Sequence, residues 1–147
     1  MLSKKSKYAI KALVALAKHG SEIPYMRISA ISEQENIPKK FLEAILLDLR
    51  NHGYLGSKLG VHGGYYLIKH PDKIILRDII RLTDGPIALT PCASLTFYEK
   101  CDDCSDEKTC GIRKVMTEVR EATLNVLSNT TIGDIVESEK KLTKGKR

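Results

Sequence analysis

The tripeptide Asn36-Ile37-Pro38 breaks the chain between two stretches of helical periodicity. Proline has no backbone N–H and is rejected from helix interiors, but it fits the first turn of a helix. The downstream stretch therefore predicts a helix from 38 to about 51, with Phe41, Leu42, Ile45, Leu46 and Leu49 as its buried stripe. Upstream, a short helix is expected over 26–34, with Ile28, Ala30 and Ile31 facing inward. Before it, Ala9, Ile10, Leu13, Val14, Leu16 and Ala17 predict a helix over 6–18, stopped at His19-Gly20-Ser21. After it, Tyr54–Leu59 and Tyr65–Lys69 flank the glycine-rich link Gly60-Val61-His62-Gly63-Gly64 and read as a hairpin. Helix, short helix, turn, helix and hairpin is the order of a winged helix-turn-helix. The expected fold class is mainly α with a small β-hairpin wing.

Beyond residue 75 the pattern changes. A short helix is expected over 75–83, then a segment of little periodicity over 90–111, then a long helix over 112–127. That helix would span about 24 Å at 1.5 Å per residue. Ile112, Val115, Met116, Val119, Ala122, Thr123 and Val126 line one side of it, and a helix this apolar needs a partner. A second copy of the chain would supply one, so the helix is read as a dimerisation helix and the protein as a homodimer. Thr131 and Asp134 have the spacing to cap a last turn. The expected organisation is 1–75 as the winged unit, 76–136 as cysteine-rich loop plus dimerisation helix, and 137–147 as a flexible basic tail.

Charge follows the same division. The net charge is +6 overall, +6 over residues 1–75, −3 over 76–136 and +3 over 137–147. A basic winged unit suits a polyanion, and double-stranded DNA is the partner its geometry fits. In such a fold the helix after the turn enters the major groove, where each base pair shows a distinct edge. Its exposed side offers Lys39, Lys40 and Glu43, with Arg50 near its end. Lysine can neutralise phosphate or donate to guanine, and Glu43 can accept from the N4 amine of cytosine. The wing adds Lys58 and His62, and the first helix adds Lys4, Lys5, Lys7 and Tyr8. A two-fold dimer would read a pseudo-palindromic operator.

All four cysteines fall within nineteen residues, in the pattern C-x8-C-x2-C-x5-C: Cys92, Cys101, Cys104 and Cys110. A secreted disulfide scaffold would spread its cysteines more widely, so a metal or redox site is expected. Soft thiolates suit iron–sulfur, zinc or copper(I), and spacing does not choose among them. Acidic neighbours such as Asp102 and Asp103 should raise the thiol pKa, which disfavours a reactive redox pair. There is no G-x-x-x-x-G-K-[ST] loop and no H-E-x-x-H pair, and the four histidines lie away from the cysteines, so no enzyme is expected. No run of eighteen apolar residues spans a membrane, and no secretory leader is read at the start, so a cytoplasmic location is expected.

Several segments resemble the Rrf2 family of bacterial winged-helix regulators, which includes IscR, NsrR, RirA and CymR types. They are Leu2–Ala9, Phe41–Glu43 with Leu49–Leu55, the wing Gly60–Leu67, Ile75–Gly85, the cysteine run, and Thr130–Ile135. The resemblance covers about residues 2–136. It implies a homodimeric transcription regulator, in the repressor mould, joined through the long helix. It also implies a [2Fe-2S] or [4Fe-4S] iron–sulfur cluster in the cysteine loop, sensing redox state, iron or nitric oxide. Cys92, Cys104 and Cys110 match the family's three ligands, and Cys101 is additional. Arg113 stands where the IscR type has histidine, and Tyr8 where the NsrR type has an acid. Leu59 stands where the family often has arginine before the first wing glycine. The readings set against this one are a zinc-stabilised protein-interaction module and a redox-thiol regulator without a cluster.

Overall fold

The structure, a computed structural model, describes residues 1–19 and 24–146. Six helices and one hairpin follow in the order α1 (Lys4–Lys18), α2 (Ile28–Glu35), α3 (Lys39–Asn51), β1 (Leu55–Lys58), β2 (Gly64–Leu67), α4 (Leu76–Asp84), α5 (Gly111–Ser128) and α6 (Ile132–Lys144). The helix stop expected at Gly20–Ser21 lies outside the described residues. No described helix is long and apolar enough to cross a membrane.

Helix α1 is the hub, touching α2, α3, α4 and α6. Its buried face is rich in alanine (Ala9, Ala12 and Ala15), which lets neighbouring helices approach closely, and Leu13 fills the centre. Ser3 caps its start by accepting from the Ser6 N–H at 3.0 Å. Ser3 also donates its N–H to Asp84 at 3.0 Å and its hydroxyl to the same carboxylate, so the start of α1 is fastened to the end of α4.

The turn between α2 and α3 follows from its three residues. Asn36 takes the left-handed conformation (φ 52°) that asparagine tolerates better than most residues. Ile37 is 2% exposed and fills the core. Pro38 is the N-cap of α3 rather than part of its first turn, and its carbonyl accepts from Phe41 and Leu42 at 3.0 Å each. Two sequence expectations shift here. Phe41 is 42% exposed and meets Tyr8 edge-to-face at 5.6 Å instead of joining the buried stripe. In α2 only Ile31 is buried; Ile28 is half-buried and Ala30 is exposed.

The two strands pair antiparallel, Leu55 opposite Leu67 and Lys58 opposite Gly64. The chain before α2 joins them, because Met26 and Tyr65 exchange backbone hydrogen bonds of 2.9 Å. Sequence reading did not foresee that third edge, since one bridging residue carries no alternation.

The largest difference concerns the tail. Residues 137–147, expected to be flexible, continue α6 as helix to Lys144. Thr131 and Asp134 form the capping box, but it opens a helix of thirteen residues rather than a last turn. Ile132 and Val136 are buried against α1, and Lys18 of α1 pairs with Glu139. The Ile132 N–H donates to the Ile74 carbonyl and the Leu76 N–H to the Thr130 carbonyl, both at 2.9 Å. Ile79, Ile132 and Val136 thus share one core with Leu13, Leu42 and Leu49.

Candidate nucleic-acid interface and cysteine loop

Helix α3 turns Leu42, Ile45, Leu46 and Leu49 inward, which leaves Lys39, Lys40, Glu43, Ala44 and Leu47 exposed along its other side. That is the surface the spacing assigned to base and phosphate contacts. Arg50 is exposed at the end of the helix and donates to the Ser57 hydroxyl at 3.3 Å, linking α3 to β1. The wing carries Lys58 and His62 exposed, and the Lys58 ammonium lies 5.0 Å from the centre of the Tyr25 ring. Tyr25 in turn meets Tyr66 edge-to-face at 5.3 Å. On α1, Lys4 and Lys7 are exposed and Tyr8 is half-buried against the core. Lys5 pairs with Asp48 of α3 at 2.7 Å, which engages it within the chain. Arg27, expected inside a helix over 26–34, is instead exposed at the N-cap of α2, a further cation on a helix-turn-helix edge that sequence reading passed over.

The cysteine loop has little regular structure; a single 3-10 turn, Pro91–Ala93, opens it. Cys92 is buried there, with Sγ 3.5 Å from the Thr90 hydroxyl, and Ala93 and Ser94 are buried beside it. The Cys104 N–H donates to the Cys101 carbonyl at 3.1 Å, making the C-x-x-C step a turn. The Cys101 thiol is pushed above its ordinary value, first by a hydrogen bond to Cys92, then by burial and by negative charge at Cys92, Asp103 and Cys104. The acidic neighbours therefore act as the sequence suggests, but the larger cause is the second cysteine. Cys110 stands apart as the N-cap of α5, its Sγ accepting from the Arg113 N–H at 3.4 Å. Among the described residues, no three of His, Cys, Asp or Glu are gathered into a set that could hold a metal ion. The donor chemistry fits a thiolate-ligated centre: four soft ligands lie on a short, mostly exposed loop.

Two arginines tie this loop to α5: Arg113, which the sequence marks only as the residue in place of a histidine, and Arg120, which sequence reading passed over. Arg113 Nε donates to the Cys92 carbonyl at 3.2 Å, and Arg120 Nη1 donates to the Ala93 carbonyl. Their seven-residue spacing, two helical turns on one face, was the available signal. The rest of α5 is little covered, and none of its residues is buried. Ile112, Val115, Val119 and Val126 are 69%, 50%, 37% and 63% exposed. Beside Val119 a cleft of about 940 Å³ runs between α1, α4 and α5, lined by apolar side chains that include Leu2, Ile10, Ile80, Ile87 and Leu127.

Residues 2–138 match the family model Rrf2, iron-dependent transcriptional regulator. An rrf2-like HTH-type transcriptional regulator of Rhodobacter capsulatus is 43% identical over 138 residues, covering 92% of each chain. Among solved structures, CymR, the global cysteine regulator of B. subtilis, is 31% identical with a TM-score of 0.76 over 94% of this chain and 97% of that one. IscR of T. potens is 26% identical with a TM-score of 0.74 over 97% of this chain and 90% of that one. The chain belongs to the Rrf2 family: it is a winged-helix, DNA-binding transcriptional regulator and not an enzyme.

Proposed function

We propose that the chain works as a homodimer joined through α5, and that an iron–sulfur cluster held by the cysteine loop sets its affinity for a pseudo-palindromic operator. One juxtaposition carries this reading. The buried start of the cysteine loop hangs by Arg113 and Arg120 from the same helix whose free side is an uncovered apolar stripe.

Cys92, Cys104 and Cys110 would hold the cluster, with Cys101 as fourth ligand or neighbour. Such a group supplies a redox- and ligand-sensitive centre whose loss is a chemical signal. The chain's own part is mechanical. Any movement of Cys92 or Ala93 pulls on carbonyls that Arg113 and Arg120 hold, and so on the face of α5 between the loop and α4. Helix α4 touches α5 on one side and α1 on the other, and α1 packs on α3. A shift at α5 thereby changes how two copies of α3 are set for successive major grooves. A coupling of about 1–3 kcal/mol would give roughly 5–150-fold regulation.

Anaerobic purification followed by iron, sulfide and visible absorbance tests the proposal, with DNA binding compared before and after cluster loss. Iron and sulfide in stoichiometric amounts, lost in Cys92→Ala, Cys104→Ala or Cys110→Ala, support it. Zinc without sulfide points to the structural-metal reading instead. Metal-free protein whose affinity responds to thiol oxidants points to the thiol reading. A cluster whose loss leaves DNA affinity unchanged overturns the regulatory step.

A further inference from the structure

The tip of the wing carries no lysine, arginine or carboxylate. Between Lys58 and Lys69 the chain reads Leu59-Gly60-Val61-His62-Gly63-Gly64-Tyr65-Tyr66-Leu67-Ile68. Leu59 is 95% exposed and Val61 76% exposed. They flank Gly60, whose φ of 108° is a conformation that side chains rarely adopt. The Gly63 N–H donates to the Gly60 carbonyl at 3.1 Å and closes the turn. A Cβ on Gly63 would stand 1.9 Å from the Lys58 carbonyl oxygen, so the two arms meet closely and the tip is narrow.

The arms, in contrast, are anchored. The Tyr66 ring lies where a Cβ on Gly56 would stand, Tyr25 packs on Tyr66, and the Lys58 ammonium is turned onto Tyr25. Arg50 ties β1 to α3 through Ser57. The tip is thus fixed in attitude relative to α3 and presents two aliphatic side chains beyond its nearest cation. Neither side chain can hydrogen-bond a phosphate or a base edge. What they can contact favourably is the sugar wall and the face of a base.

We propose that the wing tip is an apolar wedge. Leu59, with Val61 beside it, enters the minor groove next to the major groove taken by α3 and opens a base step there, bending the duplex. This rests on α3 and the wing forming the DNA-binding surface. Apolar side chains inserted from the minor groove partly unstack a step and kink DNA toward the major groove. Pyrimidine–purine steps deform most readily, whereas an arginine at the tip would favour the narrow, electronegative minor groove of an A-tract. Leu59 therefore makes the chain read deformability under the wing, and it is a specificity-determining residue at a position where no base edge is bonded.

The test uses an operator selected from a random duplex library with the full-length protein, with dyes on both ends. Hydroxyl-radical protection locates the step under each wing, and energy transfer reports the bend. In the wild type, a TA or CA step at that place is expected to bind about tenfold tighter than an AA step. Leu59→Ala loses both the bend and the step preference, and binds the selected operator about tenfold more weakly. Leu59→Met keeps both, and Leu59→Arg moves the preference to A-tracts with a steeper salt dependence. At 95% exposure these substitutions leave the fold intact. Equal bending and equal step ranking in wild type and Leu59→Ala overturn the wedge alone. Wild-type affinity in a Lys39→Ala/Lys40→Ala variant would instead overturn the placement of α3 on which the wedge depends.

Discussion

Val115→Glu tests whether the free side of α5 joins two copies. Ile112, Val115, Val119 and Val126 are 69%, 50%, 37% and 63% exposed, about two side chains' worth of apolar surface on each helix. Burying one such side chain is worth about 1.5–3 kcal/mol, so two protomers gain about 6–12 kcal/mol from the stripe. Association costs on the order of 4–15 kcal/mol in lost freedom. The two quantities are of one size, and removing part of the stripe should shift the equilibrium visibly. Val115 is half-exposed, and its share over both copies is about 2 kcal/mol. A glutamate also brings two carboxylates toward each other across the seam. The dimer dissociation constant should therefore rise by at least about thirtyfold. Sedimentation over a dilution series measures it, with circular dichroism to show that the helices persist. Lys114→Glu, on the polar side of α5, is the control and should sediment as the wild type does. If Val115→Glu also sediments and binds operator as the wild type does, the stripe is not the joining surface and the dimer argument fails.

Four further outcomes follow from the same geometry. Alanine at Lys39 and Lys40 should weaken binding to all duplexes alike and lower the salt slope by about one for each phosphate left without its lysine, read from titrations at several salt concentrations. Glu43→Gln should change discrimination at one base pair by about 1–3 kcal/mol, read from competition among operator variants; unchanged ranking removes Glu43 from base reading. Gly63→Ala forces a Cβ to within 1.9 Å of the Lys58 carbonyl and should destabilise the chain by about 1–3 kcal/mol, with DNA affinity lost through the wing; a melting curve and a binding titration check both. Asp84 and Asp134 lie below the ordinary 3.8: at Asp84 burial opposes ionisation, but hydrogen bonds from Ser3 and Ser6 outweigh it, and at Asp134 the Thr131 N–H and hydroxyl donate. Their contribution to stability is complete above the ordinary carboxylate range, falls as pH drops through it, and is gone below the folded value. Asp134→Ala should accordingly flatten the fall in melting temperature below about pH 5, and an unchanged acid slope would show that the cap contributes nothing.

What the sequence made legible was set by periodicity and by turn chemistry. The stripe of α3 apart from Phe41, the Asn36–Pro38 break and the glycine-rich hairpin each leave a local trace, and each lies where the spacing predicts it. Phe41 was misplaced because periodicity ranks residues by face, and an aromatic at the edge of a face can lie against one neighbour, here Tyr8, while staying open to water. Helix α6 was cut short for a different reason. Residues 137–141 read Glu-Ser-Glu-Lys-Lys, a charged run with no apolar stripe of its own, and the helix forms because Ile132 and Val136 dock its start on α1 and Glu139 meets Lys18. The cysteine loop is the least legible part, since a loop has no period and its course depends on partners distant in sequence. Arg113 and Arg120 supply those partners only once α5 has formed. That dependence has a consequence for the chain as a whole. With α1 fastened to α4 through Ser3 and Asp84, to α6 through Lys18 and Glu139, and to α3 through Lys5 and Asp48, the loop-bearing half and the DNA-reading half share one body. On the proposed cluster reading, a signal at Cys92 would reach α3 through the packed contacts of α5 with α4, α4 with α1 and α1 with α3, so small displacements of α5 are the scale on which regulation would operate.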